Sequence, residues 1–335
     1  MSRVSSQKRN SRKIMSLEKK EEKSRLHPRN KNRERYDLSA LVTAIPELGN
    51  YVKPNKYGND SVDFSNPEAV KLLNKALLHH YYGIENWDFP KENLTPPIPG
   101  RADYLHYIAD LLTESYTEKI PMGKKVTCLD IGIGASCIYP IIGVREYGWN
   151  FIGSDTDQKA IDSARNIVSS NPSLTGKIEC RLQENPNDIF HGIINPGEKI
   201  DIVICNPPFH ASADDASKGT QRKVRNLSGK KDKKPEMNFG GISSELIYEG
   251  GEQTFIQNML RGSKYFSKNV YWFSTLVSKQ STLKSIYRAL EKLKVTHVKT
   301  INLGTSNKSS RIVAWTFLGK TEQYEWVTKQ WNSGK

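Results

Sequence analysis

The fold is decided by two stretches, VTCLDIGIGASCIYP at residues 126–140 and NFIGSDTD at residues 150–157. Each begins with a short apolar run of the length of a buried strand, and a helical pattern follows each run, at 136–147 and 157–169. Strands that alternate with helices in this way predict a parallel sheet with both faces covered by helices.

The alternation continues toward the C-terminus. Further strands are predicted at 177–182, 201–206, 269–275, 297–303 and 311–318, and further helices at 252–266 and 279–293. Only GTSNKSS separates the last two strands, and because a parallel connection needs a longer crossover, this pair must be antiparallel. We therefore expect an α/β fold of the class I, Rossmann-like methyltransferase type, with a seven-stranded, mostly parallel sheet that ends in an antiparallel hairpin.

The formal charge of +14 is concentrated in two segments. Residues 1–36 hold 13 Lys and Arg against 4 Glu, a charge of +9, and residues 214–235 hold 8 Lys and Arg against 3 Asp, a charge of +5. From charge alone, a polyanionic partner and a merely solvated tail and loop are equally good interpretations. If the partner is RNA, its candidate contacts are Arg29, Lys31, Arg33, Arg35, Lys218, Arg222, Lys223 and Arg225.

Three regions are predicted along the chain. Residues 1–24 are polar and charged, and we expect a disordered basic tail. Residues 25–100 are predicted to form a small helical cap that binds RNA, with a helix in PEAVKLLNKALLHHYYG and a proline-rich connector, LTPPIPG. Residues 101–335, which open with the helical pattern ADYLHYIADLL, form the predicted methyltransferase domain.

Several protein classes are disfavoured by the composition. No apolar run of about 18 residues occurs, so no membrane span is predicted, and the basic start MSRVSSQKRNSRK lacks the apolar centre of a secretory signal. The cysteines Cys128, Cys137, Cys180 and Cys205 form no C-x-x-C pair, and the histidines lack metal-ligand spacing. We expect reduced structural thiols, no metal site and a cytoplasmic protein.

A cofactor motif follows the first strand as Asp130-Ile131-Gly132-Ile133-Gly134. Glycines at such a turn let the backbone approach a ligand at the start of the next helix, although a tight turn alone also explains them. The motif is neither G-x-G-x-x-G nor a phosphate loop, and S-adenosylmethionine, which carries no phosphate, needs only a short glycine turn. At the end of the second strand, Asp155 is placed to accept the ribose hydroxyls of an adenosine, while Asp157 is expected to cap the next helix. The two elements together favour cofactor binding.

The strongest chemical signal is Asn206-Pro207-Pro208-Phe209, directly after the apolar strand DIVIC. The lone pair of an exocyclic adenine nitrogen is conjugated into the ring, so the nitrogen is a poor nucleophile. The Asn206 side-chain oxygen and the Pro207 carbonyl can accept its two N–H bonds and aim the lone pair at a sulfonium methyl. The two prolines stiffen the loop, and Phe209 can stack on an extruded base. A rigid corner with a packed Phe is the alternative interpretation.

Six longer segments carry a family resemblance: LHPRNKNRERYD, YGIENWDFP, PPIPGRADYLHYIADLL, DIGIGASCIYP, NPPFHASADDASKGTQRKVRNL and NFGGISSELIYEGGE. They resemble the RlmF-type 23S ribosomal RNA adenine-N6 methyltransferases, and a eukaryotic methyltransferase-like relative that acts on a spliceosomal small nuclear RNA. The resemblance covers most of residues 26–320. It implies that Arg101 contacts the cofactor carboxylate and that Gly132, Asp155 and Asn206 line the pocket. It further implies a mobile loop at Gly240-Gly241, near the active site.

Three other functions stay open. A protein glutamine methyltransferase meets the same problem of a conjugated nitrogen, but the basic segments and the matched cap argue against it. A DNA adenine methyltransferase uses the same motif, which cannot separate DNA from RNA. A non-enzymatic RNA-binding assembly factor should tolerate loss of Asn206 and Asp155, both of which are present. Free ribosomal RNA and an assembly intermediate are both open as substrates, and we expect a monomer.

Overall fold

A small helical cap precedes the sheet in the computed structural model, which describes residues 26–55, 57–114, 119–212, 246–304 and 310–331. The cap contains helix α1 (Leu38–Ala44), an antiparallel hairpin of β1 (Val52–Pro54) and β2 (Asp60–Val62), and helix α2 (Pro67–Tyr82). Helix α2 begins where the Asn66 side chain accepts the backbone N–H groups of Glu68 and Ala69, and it ends at Gly83, whose φ is 62°. Helix α3 (Ile98–Thr113) then leads into the sheet.

Seven strands form the central sheet, and helices connect most of them. In chain order the elements are β3 (Thr127–Ile131), α4 (Ile138–Tyr147), β4 (Asn150–Asp155), α5 (Gln158–Ser169), β5 (Ile178–Leu182), β6 (Ile200–Cys205), α6 (Gly251–Ser263), β7 (Val270–Val277), α7 (Gln280–Leu293), β8 (His297–Asn302), β9 (Arg311–Thr316) and α8 (Lys320–Trp326). All seven predicted strands are present, with their ends within two residues of the expected positions.

The sheet order is β5-β4-β3-β6-β7-β9-β8. Strands β3 to β7 run parallel to one another, whereas β9 pairs antiparallel with both β7 and β8. The predicted class I architecture with a terminal antiparallel hairpin is therefore confirmed. After β3, the chain adds β4 and β5 on one side of this strand and then crosses to β6 on its other side, so the topological switch point lies between β3 and β6. Ligands of open α/β sheets bind at the carboxyl ends of the strands at such a point.

Two apolar layers cover the sheet, one on each face. Successive residues of β3 enter different layers, since Cys128 lies in one and Leu129 in the other. The layer that contains Cys128 also contains Leu41 and Leu77 of the cap and Leu105 of α3. The cap thus shares its hydrophobic core with the sheet, and the predicted boundary at residues 100/101 falls inside α3. The four cysteines are buried and free, as expected.

The basic segment before α1 is held against the rest of the protein by hydrogen bonds and ion pairs. His27 donates its backbone N–H to the buried carboxylate of Asp103, and Asn30 donates its side-chain amide to the same oxygen. Arg29 forms an ion pair of 2.8 Å with Asp110, and Lys31 forms one of 2.9 Å with Glu146. These two cations, predicted as RNA contacts, therefore have intramolecular partners, and Arg35 donates to the Asp60 carbonyl. RNA contact by this segment, Arg33 included, stays a prediction.

A buried acid holds the C-terminal segment. This acid lies near the amino end of β6, whereas the motifs follow the carboxyl ends of the strands. Asp201, at the start of β6, accepts the indole N–H groups of Trp326 and Trp331, each at 2.8 Å, and the backbone N–H of Thr127 at 2.7 Å. Burial raises the pKa of Asp201 to about 6, although these hydrogen bonds oppose the rise. Within the described ranges, no helix combines the length and apolar content that crossing a membrane requires.

Candidate active site

The glycine turn lies between β3 and α4. Gly132 and Gly134 have φ values of 78° and 62°, which residues with a Cβ rarely adopt. The backbone N–H groups of Gly132 and Ile133 both donate to the Ser154 carbonyl at 2.9 Å, and Gly134 donates to the Asp155 carboxylate at 3.0 Å. The turn is therefore fixed to the end of β4. A Cβ on Gly132 would meet nothing within 4 Å, so the backbone there borders open space.

The predicted ribose acid and helix cap occupy the positions expected of them. The second Asp155 oxygen accepts the N–H of Asp157 at 3.1 Å, and Asp157 caps α5 by accepting from Lys159. Burial raises the pKa of Asp155, whereas the backbone N–H groups of Asp157 and Gly134 oppose the rise. Each Asp155 oxygen accepts one backbone N–H and so retains a lone pair for a further donor.

A cavity of about 340 Å³ opens over the carboxyl ends of the parallel strands. Its volume lies in the range of small-molecule sites, about 300–1,000 Å³. It is bordered on the β3–β4–β5 side by Gly132, Asp155 and Gln183, and on the β6 side by Asn206 and Pro208. Arg101, from the first turns of α3, also lines it. Five of the predicted cofactor residues are thus brought to one cavity, namely Arg101, Gly132, Gly134, Asp155 and Asn206, whereas the predicted Asp130 does not border it.

Asn206 presents an unused acceptor to this cavity. Its Oδ1 is buried and finds no hydrogen-bond partner among the residues that the structure describes. Such an acceptor costs about 1–3 kcal/mol unless a donor arrives. The preceding residue is held by Tyr104 of α3, because the Cys205 N–H donates to the Tyr104 hydroxyl at 3.3 Å. That hydroxyl also bonds Ser274 Oγ of β7 at 3.0 Å, so α3 and β7 together position the end of β6.

A buried carboxyl and a cation lie together beside the glycine turn. Asp130 is fully buried, and within the described part of the chain neither of its oxygens has a hydrogen-bond partner. Burial raises its pKa well above the usual value, Asp155 adds to the rise and Arg101 opposes it. The Arg101 guanidinium lies 5.6 Å from the centre of the Tyr139 ring. Arg101 borders the cavity and could pair with the carboxylate of a ligand, whereas Asp130 does not border it.

The rest of the predicted catalytic motif is placed less uniformly. Pro208 lines the cavity. Pro207 is buried and Phe209 is half-buried, and neither of them is among the residues that line the cavity. Stacking by Phe209 therefore stays a prediction. The predicted contacts Lys218, Arg222, Lys223 and Arg225, the Gly240-Gly241 loop and residues 1–24 lie outside the described residues.

Sequence reasoning missed three contributors to this site. Trp87 of the cap donates its indole N–H to the Ser136 carbonyl at 2.9 Å and so supports the turn before α4. Tyr248 and Phe255 also line the cavity, although they lie 42 and 49 residues beyond Asn206. The family-like segments YGIENWDFP and NFGGISSELIYEGGE contain two of these residues, but a single sequence does not say where they fold. Among the described residues, no cluster of His, Cys, Asp or Glu could hold a metal ion.

The sheet order, the glycine turn and the Asn206 acceptor define a class I S-adenosylmethionine-dependent methyltransferase. The chain belongs to a family of RNA methyltransferases, whose model matches residues 20–319. It is 55% identical over 309 residues to "Ribosomal RNA large subunit methyltransferase F" of Cytophaga hutchinsonii, covering 92% of this chain and 96% of that protein. The protein of the same name from Photobacterium profundum is 50% identical over 329 residues, with coverages of 93% and 97%.

Solved structures of METTL16 have the same fold. The catalytic domain of hMettl16 in complex with MAT2A 3′UTR hairpin 1 matches with a TM-score of 0.71 and 26% identity, over 88% of this chain and 96% of that one. The N-terminal domain of human METTL16 in complex with SAH matches with a TM-score of 0.69 and 25% identity, over 88% and 99%. The predicted membership of an RNA methyltransferase family that uses S-adenosylmethionine is confirmed.

Proposed function

We propose that this protein transfers a methyl group from S-adenosylmethionine to the N6 amino group of one adenosine in 23S ribosomal RNA. The observation that carries the proposal is the buried Asn206 Oδ1, which has no hydrogen-bond partner among the described residues, in a residue that lines the cavity together with the expected cofactor residues. The names of the curated relatives supply the substrate class, and their similarity extends over nearly the whole chain.

The residues around the cavity fit the cofactor. Gly132 leaves room for close approach to its backbone, and Asp155 can accept ribose hydroxyls with its remaining lone pairs. Arg101 borders the cavity and suits the carboxylate of the methionine moiety. When bound, S-adenosylmethionine supplies an electrophilic sulfonium methyl group, which makes a strong catalytic base unnecessary.

The contribution of the protein is then alignment of the amine. Asn206 Oδ1 and the Pro207 carbonyl accept the two N6–H bonds, which withdraws the nitrogen lone pair from conjugation and directs it. The proton that the nitrogen loses passes to solvent. Because the bond from Cys205 to Tyr104 fixes the end of β6, the acceptor needs little reorganisation. Preorganised contacts of this kind are worth several kcal/mol, of the order of 3 for one acceptor or donor.

The basic segments would supply affinity for RNA. Lys218, Arg222, Lys223 and Arg225 follow the catalytic loop in sequence and would contact phosphates around the target, and the basic tail would add further contacts. Neutralising Lys and Arg in residues 1–36 should weaken RNA binding and reduce the slope of log affinity against log salt by about 0.7–0.9 per lost contact. An unaltered slope would show that the tail is only solvated. The protein is proposed to act as a cytoplasmic monomer, which light scattering can check.

The decisive test is methyl transfer from labelled S-adenosylmethionine to total RNA, DNA and protein, with wild type and Asn206→Ala. We expect N6-methyladenosine in large-subunit RNA and at least a hundredfold loss in the variant. Cofactor affinity, measured in parallel, should change far less. Protein-free 23S RNA, precursor particles and assembled subunits are compared as substrates. Label in protein would instead support the glutamine alternative, and label in DNA the DNA alternative.

A further inference from the structure

We propose that Tyr248, backed by Phe255, forms a stacking subsite for a purine base, and that the target adenine lies against this ring during transfer. The proposal rests on the proposed function and deepens it. It assigns the base-holding wall of the cavity to a segment that follows the catalytic motif by about 40 residues, in addition to the motif itself.

Tyr248 lies in the part of the cavity where the target adenine is expected to bind. The sheet order places β4 and β5 on one side of β3, with the residues that suit the cofactor, Asp155 and Gln183, at their ends. Strand β6 lies on the other side of β3 and ends at Cys205, directly before Asn206. Tyr248 and Phe255 border the same cavity. Tyr248 lies just before α6, the helix between β6 and β7, and Phe255 lies within it. The two aromatic rings therefore lie on the Asn206 side, away from the ribose acid.

Hydrogen bonds tie Tyr248 to the catalytic loop. The Tyr248 N–H donates to the His210 carbonyl at 3.0 Å, and the His210 N–H donates to the Leu246 carbonyl at 3.0 Å. His210 directly follows Phe209 and so lies four residues after Asn206. On its other side, the Tyr248 carbonyl accepts the N–H of Gly251 at 2.7 Å, in a turn where Gly251 has a φ of 67°. The backbone of Tyr248 is thereby held in register with the motif that binds the amine.

The ring itself is fixed from two directions. The Asn258 side-chain amide of α6 donates to the Tyr248 hydroxyl at 2.7 Å. The Phe255 ring meets it edge-on, with centroids 5.1 Å apart and an interplanar angle of 87°. Both rings are half-buried, so part of the Tyr248 surface remains open to the cavity. A ring that is already immobilised loses little entropy when a base stacks on it.

The other aromatic residues are less suited to this role. Tyr139 is fully buried, and it packs against Tyr104 and beside Arg101, on the cofactor side. Phe209 is half-buried but does not border the cavity within the described residues. Base–aromatic stacking contributes about 1–3 kcal/mol per base, so the choice of ring is measurable.

The first experiment compares Tyr248→Leu and Tyr248→Phe with a matched control, Tyr265→Leu, which truncates a Tyr that is 75% exposed and lies outside the cavity. Tyr248→Leu should lower kcat/KM for large-subunit RNA about 5- to 150-fold, which is the stacking energy converted at 1.4 kcal/mol per tenfold. Its Kd for S-adenosylmethionine should stay within about twofold of wild type. Tyr248→Phe keeps the ring and should stay within about threefold, and Tyr265→Leu should match wild type.

Three outcomes would overturn the assignment. Full activity of Tyr248→Leu would show that no base stacks on this ring. A parallel loss of cofactor affinity would make Tyr248 a wall of the cofactor site. An equal loss in Tyr248→Phe would mean that the hydroxyl bond to Asn258 matters and the ring face does not.

A second measurement does not depend on methyl transfer. Adenosine 5′-monophosphate is added to protein saturated with S-adenosylhomocysteine, and saturation transfer to the purine H2 and H8 protons is recorded. We expect transfer in wild type and Tyr248→Phe and its loss in Tyr248→Leu. If wild type methylated protein and not RNA, the proposed function would fail, yet this result would still support a purine subsite. Absence of transfer in wild type would refute the subsite directly.

Discussion

A single added methyl group at Gly153 should disturb the cofactor turn. Gly153 lies inside β4, where its Cα faces Ile133 of the glycine turn. A Cβ at this position would lie 2.1 Å from Ile133 Cδ1, 2.9 Å from Cγ1 and 3.0 Å from Cβ. Carbon atoms pack best at about 3.5–4.0 Å, so Ile133 must move by roughly 1.5 Å. Ile133 is only 3% exposed, and its N–H is bonded to Ser154, so the shift would pass to the turn.

The expected cost of Gly153→Ala follows from this overlap. Overpacking a well-packed core costs about 1–3 kcal/mol, and we expect the free energy of unfolding to fall by that amount. Displacement of the turn should also weaken S-adenosylmethionine binding by about tenfold or more, equivalent to about 1.4 kcal/mol. Denaturant titration measures the first quantity, and calorimetry measures the second.

A double-mutant cycle tests the cause. Ile133→Ala removes Cγ1 and Cδ1 and leaves the nearest contact at 3.0 Å, so Gly153→Ala should cost at least 1 kcal/mol less in that background than in wild type. The control is Gly100→Ala in the first turn of α3, where an added Cβ meets nothing within 4 Å. It should be neutral or stabilise by about 0.5–1 kcal/mol. Equal costs of Gly153→Ala in the two backgrounds would refute the steric argument.

Three further predictions concern charge and hydrogen bonding. The pKa of Asp201 is raised from 3.8 to about 6, so the protonated carboxyl stabilises the fold and its ionisation opposes folding. This stabilisation is complete only below pH 3.8 and is lost as the pH rises through 6. Between pH 4 and 7, wild type should therefore lose about 2 kcal/mol relative to Asp201→Asn in urea titrations. A pH-independent difference would contradict this. Tyr104→Phe removes the hydroxyl that bonds Ser274 and Cys205. It should slow single-turnover methyl transfer about 2- to 12-fold without changing cofactor affinity. A matching loss of cofactor affinity would instead indicate general disorder of the site. Arg101→Lys keeps the charge but loses the planar fork, and calorimetry should show about tenfold weaker cofactor binding; unchanged affinity would remove Arg101 from the carboxylate site.

The sheet could be predicted because each strand is a short apolar run with turn residues beside it. The antiparallel end followed from one short connector, and pairing of β8 with β9 bears this out. The predicted helix at 252–266 was too long, since the structure ends α6 at Ser263. Tyr265 and Phe266 continue the apolar pattern, but their N–H groups donate to carbonyls three residues back, which tightens the chain into turns before β7.

The cap elements were harder to predict. Strands β1 and β2 have three residues each and are mostly exposed, so they carry no apolar alternation. Helix α1 has seven residues, and its start is marked only by the Asp37 side chain that caps it. Segments this short are stabilised by tertiary packing rather than by their own pattern.

The candidate site shows the same division between local and distant signals. Asp155 and Asn206 could be predicted, because each follows a strand directly and parallel strands end at one edge of a sheet. Arg101 was indicated only by family resemblance, since its own context is that of a surface residue at a helix start. Tyr248 could not be placed, because its position depends on hydrogen bonds to His210 across the long intervening segment.

The contacts of the cap explain why an enzyme of this fold carries one. Helix α3 contributes both Arg101 at the cavity and Tyr104, which holds the end of β6 before Asn206, so one element positions the proposed carboxylate site relative to the proposed amine acceptor. Asp103, on the same helix, is buried, and one of its carboxylate oxygens accepts both the His27 backbone N–H and the Asn30 side-chain amide of the basic segment. Because a buried carboxylate without hydrogen bonds costs several kcal/mol, the bonds from this segment stabilise α3 in its position. The sequence resemblance that begins near residue 26 therefore reflects a constraint on the active site as well as any contact with RNA.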